Sequence, residues 1–270
     1  MLHCRVNDYE LAYLEVGAGA PLVCVHGTLG DFRVWSPVLG PLSRRRRVLS
    51  LSLRHCFPEH WDGAGDDYTI AQHVADVIGF IEAVATGPVD LMGHSRGGHI
   101  AFRVAQLRPD LLRRLVLAEP GGDLDATLTP GGAAALSASF GARYAATAER
   151  VAAGDIDGAL TMFAENLGGP GAWASVAAAV RQSWRDNAGT LLGQRNEQRQ
   201  PFTRADAEAI RVPTLFVGGA ETGGTLPEVL RALAAHVGGA RVATIPGARH
   251  FMFEDDPAGF CAAVLGFLDG

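Results

Sequence analysis

The chain has 270 residues, of which 48% are hydrophobic and 19% are charged, a balance typical of a globular protein with a sizeable core. Its formal net charge is −6, and sequence-independent binding of nucleic acid needs a basic surface, so nucleic-acid binders are disfavoured. No apolar run reaches the roughly 18 residues of a membrane span. Met1–Asp8 lacks the apolar core of a signal peptide, so we expect no membrane partner.

Short apolar strands alternate with amphipathic helices along most of the chain. The first half predicts strands at Leu11–Val16 and Leu22–Val25, a helix near Trp35–Leu42, a strand at Val48–Leu53, a helix at Thr69–Ala85, a strand at Val89–Met92, a helix through Leu107 and a strand at Leu115–Ala118. The pattern resumes with a strand at Pro213–Val217, a helix at Leu226–Val237, a strand at Arg241–Ile245 and a helix at Ala258–Leu268. This alternation predicts an α/β protein with a mainly parallel sheet covered on both faces by helices.

The segment between Glu119 and Arg211 breaks this alternation. It is rich in alanine and polar residues, and it predicts helices without strands at Ala142–Ala153, Ile156–Asn166, Trp173–Asn187 and Thr203–Ile210. We therefore expect a core of residues 1–118 and 212–270, with residues 119–211 inserted as a helical cap. Large aromatic side chains in the insertion would pack it onto the core, and a few of them would roof a pocket.

The stretch Gly93-His94-Ser95-Arg96-Gly97 reads G-x-S-x-G and lies between a predicted strand and a predicted helix. A serine on such a tight strand-to-helix turn has its hydroxyl exposed, and glycines on either side allow backbone to pack against backbone. A glycine-rich turn with a surface serine is the alternative interpretation. The flanking elements favour Ser95 as a nucleophile.

A serine nucleophile needs a base, and the base needs a carboxylate that fixes its tautomer. His250 follows the last predicted strand on a Pro/Gly turn, at the sheet edge where sites form in open α/β sheets. A loop histidine that caps the last helix is the alternative. Glu221 follows the preceding strand and is our preferred acid, whereas Glu119 and Asp123 follow the strand before that and are its rivals.

An acyl-transfer site also needs donors for the developing oxyanion. The geometry of the turn makes the amide of Arg96 one donor. The second is expected from the loop His26–Gly30, which follows an early strand. We favour the amide of Thr28, with Leu29 as the alternative.

Four features together resemble the cap-bearing branch of the α/β-hydrolase fold family. They are His26-Gly27, the turn around Ser95, the segment VPTLFVGGAE ending at Glu221, and IPGARHFMFEDDP around His250. The resemblance implies Ser95 as nucleophile, His250 as base, Glu221 as acid, and the amides of Thr28 and Arg96 as oxyanion donors. The usual acid in that segment is aspartate, so the glutamate is a departure.

A second departure concerns the loop Ser52–Trp61. Many relatives carry Asp-x-Arg-Gly-x-Gly there, whereas this chain keeps Arg54 and lacks the glycines. One hypothesis is that Arg54 or His55 shapes the pocket. The alternative is that the arginine ties the loop to its neighbours.

The residue at the turn narrows the reaction, because haloalkane dehalogenases and most epoxide hydrolases of this fold need a carboxylate there. Ser95 favours acyl chemistry, which predicts a serine hydrolase that cleaves a small to medium, largely apolar ester or lactone through an acyl-enzyme. Hydrolysis of a carbon–carbon bond in a diketone-type substrate and a non-catalytic ligand receptor are the alternatives. The expected substrate contacts are His26, Leu29, His94, Arg54, Phe140, Trp173 and Phe251.

The remaining predictions concern cofactors, partners and compartment. The four cysteines are scattered without a C-x-x-C pair or zinc spacing, so we predict reduced thiols, no metal and a cytoplasmic location. No phosphate-binding loop is evident, and no cofactor is implied. The expected partner is a small-molecule substrate, while the oligomeric state stays open.

Overall fold

An eight-stranded sheet forms the centre of the computed structural model, which describes residues 1–129, 144–195, 197 and 199–270. The strands are β1 Leu2–Val6, β2 Tyr9–Val16, β3 Pro21–Val25, β4 Arg47–Leu51, β5 Val89–His94, β6 Leu112–Ala118, β7 Thr214–Gly219 and β8 Arg241–Ile245. Their order is β1-β2-β4-β3-β5-β6-β7-β8. The β1–β2 and β2–β4 pairs are antiparallel and the other pairs are parallel, which confirms the predicted α/β class.

Helices cover this sheet and fill the segment between β6 and β7. They are α1 Ser36–Ser43, α2 Ile70–Val84, α3 Arg96–Leu107, α4 at residues 144–152, α5 Ile156–Gly168, α6 Ala172–Ser175, α7 Ala178–Asp186, α8 Thr190–Gln194, α9 Arg204–Ala209, α10 Leu226–His236, α11 Met252–Asp255 and α12 Pro257–Leu268. Across the described ranges, none of these helices has the length and apolar character needed to cross a membrane.

The two faces of the sheet bury separate hydrophobic clusters. Side chains alternate across a strand, so Val23 packs on one side of β3 while Leu22 and Cys24 pack on the other. Phe80 of α2 belongs to the first cluster, together with residues of α3 and α10. Trp35 belongs to the second, with residues of α1 and α12. Continuous apolar strands are therefore covered on both faces, as parallel sheets require.

Several elements differ from their predicted bounds. Strand β1 was not predicted, and it pairs with β2 at the edge of the sheet. The single helix predicted at Trp173–Asn187 is wrong: it is two helices, because Val176 adopts an extended backbone with ψ 128° between α6 and α7. Helices α8 and α11 were also not predicted. Thr69 is the N-cap of α2, since its hydroxyl accepts a hydrogen bond from the amide of Gln72.

The segment between β6 and β7 leaves and rejoins the core at one place. An isolated bridge pairs Leu124 with Phe202. The amide of Phe202 donates to the carbonyl of Asp123 at 2.8 Å, and the amide of Asp125 donates to that of Phe202 at 3.0 Å. Helices α4–α8 lie between these two anchoring points. The predicted helix at Ala142–Ala153 falls partly outside the described residues, and its described part is helical at 144–152.

Candidate active site

Ser95 lies on the turn from β5 to α3 with a backbone conformation of φ 53° and ψ −119°. This positive φ is costly for a residue with a Cβ, on the order of 1–3 kcal/mol, and is held only where the surroundings enforce it. The amide of Ser95 donates to the carbonyl of Ala118 at 3.0 Å, and the carbonyl of Ser95 accepts from the amide of Gly121 at 2.9 Å. The side chain is half-buried, and this rigid turn holds its hydroxyl in place.

Two glycines make this turn possible. A Cβ at Gly93 would lie 2.3 Å from the carbonyl oxygen of Gly97, and a Cβ at Gly97 would lie 2.3 Å from the carbonyl oxygen of His26. Only hydrogen atoms fit at these positions, because the neighbouring atoms are backbone. The glycines of the G-x-S-x-G pattern are therefore explained by close backbone packing.

His250 follows β8 at the carboxyl edge of the sheet, and its ring is held by a buried carboxylate. Its Nδ1 lies 2.7 Å from Oε2 of Glu119, whose other oxygen accepts the amide of Gly219 at 2.9 Å. The side chains of His250 and Glu119 are 8% and 1% exposed. Because the carboxylate accepts at Nδ1, the proton lies there and Nε2 keeps a free lone pair.

This contact corrects the predicted acid. Glu221 is exposed on the turn after β7, where its amide donates to the carbonyl of Ala248 at 2.9 Å, and the carboxylate that meets His250 is Glu119. Asp123, the other rival, lies where the inserted segment starts, and its carbonyl pairs with the amide of Phe202. The reason is sheet order: β6 lies between β5 and β7, so a side chain at its end reaches across β7 to the histidine.

His94 lies beneath the turn and joins it to the histidine loop. Its Nε2 donates to the backbone carbonyl of His250 at 2.9 Å, and the two ring centroids are 4.4 Å apart. Burial, reinforced by the neighbouring His250, holds the pKa of His94 well below its usual value, so the ring is neutral. The predicted substrate contact at His94 is wrong, because the side chain is only 1% exposed.

The loop after β3 lies against Ser95. A Cβ at Gly27 would lie 2.9 Å from Cβ of Ser95, so the backbone of the loop passes close to the serine at Gly27. Thr28 is the next residue of this loop. A Cβ at Gly121 would lie 3.5 Å from Oγ of Ser95 and 3.6 Å from the amide nitrogen of Arg96, which places the hydroxyl and this amide beside one small space. Arg96 is the first residue of α3, so its amide has no acceptor within the helix.

A cavity of about 570 Å³ opens beside the histidine. It lies between α5–α7 on one side and the loops after β7 and β8 on the other. The residues that line it include His250, Phe251, Trp184, Val180, Val176 and Leu226. Polar side chains also line it, among them Glu221, Arg249 and Glu254, so the cavity offers an apolar wall on α7 and charged groups on the loops after β7 and β8.

Two further predicted substrate contacts instead have structural roles. His26 is buried, and its Nε2 accepts the amide of Leu53 at 3.0 Å; burial lowers its pKa to about 4. Arg54 donates to both oxygens of Asp76 at 2.9 Å and to Asp67 at 2.9 Å. The structure therefore favours the alternative in which this arginine ties its loop to α2.

Of the predicted apolar substrate contacts, some line the cavity and others pack among the inserted helices. Phe251 lines the cavity. Leu29 and Trp173 instead belong to the hydrophobic cluster of the inserted helices, where Trp173 stacks on Trp184 with ring centroids 6.0 Å apart. Phe140 lies outside the described residues. The structure also adds Gln194, which accepts the hydroxyl of Thr28 at 3.0 Å and which no sequence pattern indicated.

A serine on a strand-to-helix turn, with a histidine–carboxylate pair at the same sheet edge, defines the site of a hydrolase built on an α/β sheet. A sequence model of the alpha/beta hydrolase family matches residues 22–263, and the chain belongs to this family. The resemblance and the fold predicted from the sequence are thus confirmed.

Individual relatives show how far the similarity extends. The 2-hydroxy-6-oxo-2,4-heptadienoate hydrolase of Pseudomonas putida is 36% identical over 106 residues, which span only 38% of that relative and 38% of this chain. The sn-1-specific diacylglycerol lipase ABHD11 of Mus musculus is 26% identical over 266 residues, which span 92% of this chain and 80% of the lipase. Among solved structures, the enol-lactonase of Burkholderia xenovorans covers all of both chains with a TM-score of 0.73 at 22% identity, which shows the shared fold.

Proposed function

We propose that the chain is a serine hydrolase that cleaves a small to medium, largely apolar ester or lactone through an acyl-enzyme. The observation that carries the proposal is the 2.7 Å contact between Nδ1 of His250 and the buried carboxylate of Glu119. It leaves the lone pair on Nε2 free to take a proton from a serine hydroxyl. Ser95, on its strained turn at the same sheet edge, is the nucleophile of this proposal.

The reaction proceeds in two halves. Oγ of Ser95 attacks the substrate carbonyl while His250 takes its proton, and the amides of Thr28 and Arg96 hold the developing oxyanion. The tetrahedral intermediate collapses to the acyl-enzyme, and His250 returns the proton to the leaving alkoxide. Water, deprotonated by His250, then attacks the carbonyl of the acyl-enzyme. The bond to Oγ of Ser95 breaks as His250 gives that oxygen its proton, which releases the acid and regenerates Ser95. The carboxylate of Glu119 stabilises the cationic histidine in both halves.

The proposed substrate class follows from the cavity beside His250. Val176, Val180 and Trp184 offer an apolar surface to an acyl or alcohol group of modest size. The lipase relative, which matches most of this chain, acts on an ester and supports ester chemistry. We propose that residues 119–211 form the cap over this cavity. The four free cysteines support a cytoplasmic location.

Carbon–carbon bond hydrolysis is the second candidate. The Pseudomonas relative is a 2-hydroxy-6-oxo-2,4-heptadienoate hydrolase, and it shares 36% identity over its aligned part. The same serine, histidine and carboxylate serve that reaction, so only the bond that is broken differs. Product analysis with a lactone and with a diketone separates the two activities.

Labelling with an organophosphonate tests the proposal. We expect the probe to modify Ser95 and to abolish turnover of a short p-nitrophenyl ester. Ser95→Ala should lose both labelling and turnover, whereas Ser36→Ala, the same change at an exposed serine in α1, should keep them. Folded protein that resists the probe and leaves the ester intact would contradict the serine hydrolase. Labelling without ester turnover would favour the carbon–carbon hydrolase or a receptor.

A further inference from the structure

Thr28, one proposed oxyanion residue, is tied to the inserted segment through its side chain. Its hydroxyl donates to Oε1 of Gln194 at 3.0 Å and lies 3.4 Å from the hydroxyl of Tyr144. Thr28 and Gln194 are 8% and 4% exposed, so water competes little for this bond. The amide of Gln194 in turn lies 3.5 Å from the hydroxyl of Tyr68.

Arg96, the other proposed oxyanion residue, is tied to the same stretch of chain. Its guanidinium pairs with both oxygens of Glu197, and the two side chains are 1% and 2% exposed. Burial raises the pKa of Glu197, but the guanidiniums of Arg96 and Arg199 outweigh it and bring that pKa to about 2. Glu197 therefore stays ionised and holds Arg96 against it.

Gln194 and Glu197, which hold the side chains of Thr28 and Arg96, lie close together at the end of α8. The amide of Glu197 donates to the carbonyl of Gln194 at 3.2 Å, which fixes the two residues relative to each other. Further back, Asn187 donates to Oδ2 of the fully buried Asp31 at 2.7 Å. The stretch from Asn187 to Glu197 is thus anchored to the core at Asp31, which directly follows the loop that contains Thr28, and at Arg96 of α3.

We propose that Gln194 and Glu197 are positioning residues that set the oxyanion hole, each through the side chain of one donor residue. This inference rests on the proposed function. A buried hydrogen bond or ion pair to the side chain of Thr28 or Arg96 restricts where the amide of that residue can lie, and displacing a donor by about 1 Å is enough to slow a reaction greatly. The inserted segment would therefore supply part of the catalytic geometry as well as the roof of the cavity.

The experiment removes the hydrogen bond between Thr28 and Gln194 by changing each of the two residues in turn. Gln194→Met keeps the length of the side chain but cannot accept the hydroxyl of Thr28, and Thr28→Val removes that hydroxyl while keeping the backbone amide. We expect each to lower kcat and the phosphonate labelling rate about tenfold, with KM within about twofold. Thr28→Ser should restore the rates. The double variant should lose no more than either single one, because both break the same bond.

Gln182→Met is the matched control, since Gln182 is exposed on α7. It should keep wild-type rates. Glu197→Gln tests the ion pair with Arg96 and should also slow labelling of Ser95 by the phosphonate. If Gln194→Met fails to fold, Thr28→Val reports on the same bond from the core. Wild-type kcat in both Gln194→Met and Thr28→Val would overturn this inference alone. A wild-type protein that is neither labelled nor active would overturn the proposed function and this inference together.

Discussion

Ser95, Glu119 and Leu29 share an unusual backbone conformation, with φ of 53°, 43° and 60°. Each is a residue with a side chain in a region that favours glycine, at a cost on the order of 1–3 kcal/mol. All three follow a strand of the sheet, on the turns that carry the proposed nucleophile, the carboxylate that meets His250 and the proposed oxyanion loop. Among the described residues, three of the six non-glycine residues with a positive φ therefore lie on the turns to which we assign the chemistry.

The pairing of His250 with Glu119 leads to a sharp contrast between two glutamates. Glu119→Gln should lower kcat by about 10³–10⁴-fold, because the amide no longer fixes the tautomer or stabilises the histidine cation. Glu221→Gln should leave kcat within about threefold, since Glu221 is exposed and the carboxylate that meets His250 is that of Glu119. Steady-state kinetics on one ester measures both. The reverse ranking would restore Glu221 as the acid.

Glu254 gives the molecule a pH dependence of stability. Burial, with a smaller effect of Asp255, raises the pKa of Glu254 from 4.5 to about 7. Between these values the native state holds a proton that the unfolded state has lost, so stability falls as pH rises from about 4.5 to 7. Glu254→Gln should remove up to about 1–3 kcal/mol of this loss and raise the Tm relative to wild type at pH 8.

Thermal melts from pH 5 to pH 8 measure that difference. Glu228→Gln in the first turn of α10 is the control and should follow the wild-type curve. The same change of Tm with pH in wild type and Glu254→Gln would contradict a half-buried carboxyl with a raised pKa at Glu254.

The turns after β3, β5, β6 and β8 carry the groups of the proposed site, and local patterns predict them unequally. The turn at Ser95 is readable because its glycines sit where backbone meets backbone. The acid is not, because both candidates follow a strand, and only sheet order decides which side chain reaches His250. Gln194 was missed because it ends a helix of five residues with no apolar period. Contacts between segments distant in the chain carry no local signal.

Glycine substitutions test this packing. Gly97→Ala places a Cβ 2.3 Å from one backbone oxygen and 2.4 Å from another, so it should lower stability by about 1–3 kcal/mol and reduce labelling of Ser95. Gly266→Ala, exposed in α12 with no atom within 4 Å of the new Cβ, should instead raise stability by about 0.5–1 kcal/mol. Urea unfolding measures both. Equal stability in the two variants would contradict the close approach at the turn.

The molecule as a whole places its cavity where the inserted helices meet the sheet edge. The class of fold, the alternation of strands and helices and the extra helical segment were all evident from the apolar pattern. The shape of the cavity was not, because it depends on how α5–α7 are set over the loops after β7 and β8. Trp173 illustrates this: its aromatic ring predicted a pocket wall, but it packs inside the helical cluster.

Filling the cavity tests whether the substrate binds there. Val180→Trp should raise KM for esters of longer acids about tenfold while acetate esters change little, because the new ring occupies space beside Trp184. Ala179→Trp, at the neighbouring exposed position of α7, is the control and should leave both unchanged. A series of p-nitrophenyl esters of increasing chain length measures the effect. Equal KM values across the series for Val180→Trp would move the substrate site elsewhere.

The bridge between Leu124 and Phe202 has an evolutionary consequence. Because the inserted helices leave and rejoin the sheet at adjacent backbone positions, their length and sequence can diverge without changing the register of β6 or β7. New substrates could be acquired by exchange of this module, while the residues of the chemistry stay fixed in the sheet. The contacts of Gln194 with Thr28 and of Glu197 with Arg96 limit that exchange. A helical segment taken from another protein would have to supply its own contacts to these two residues.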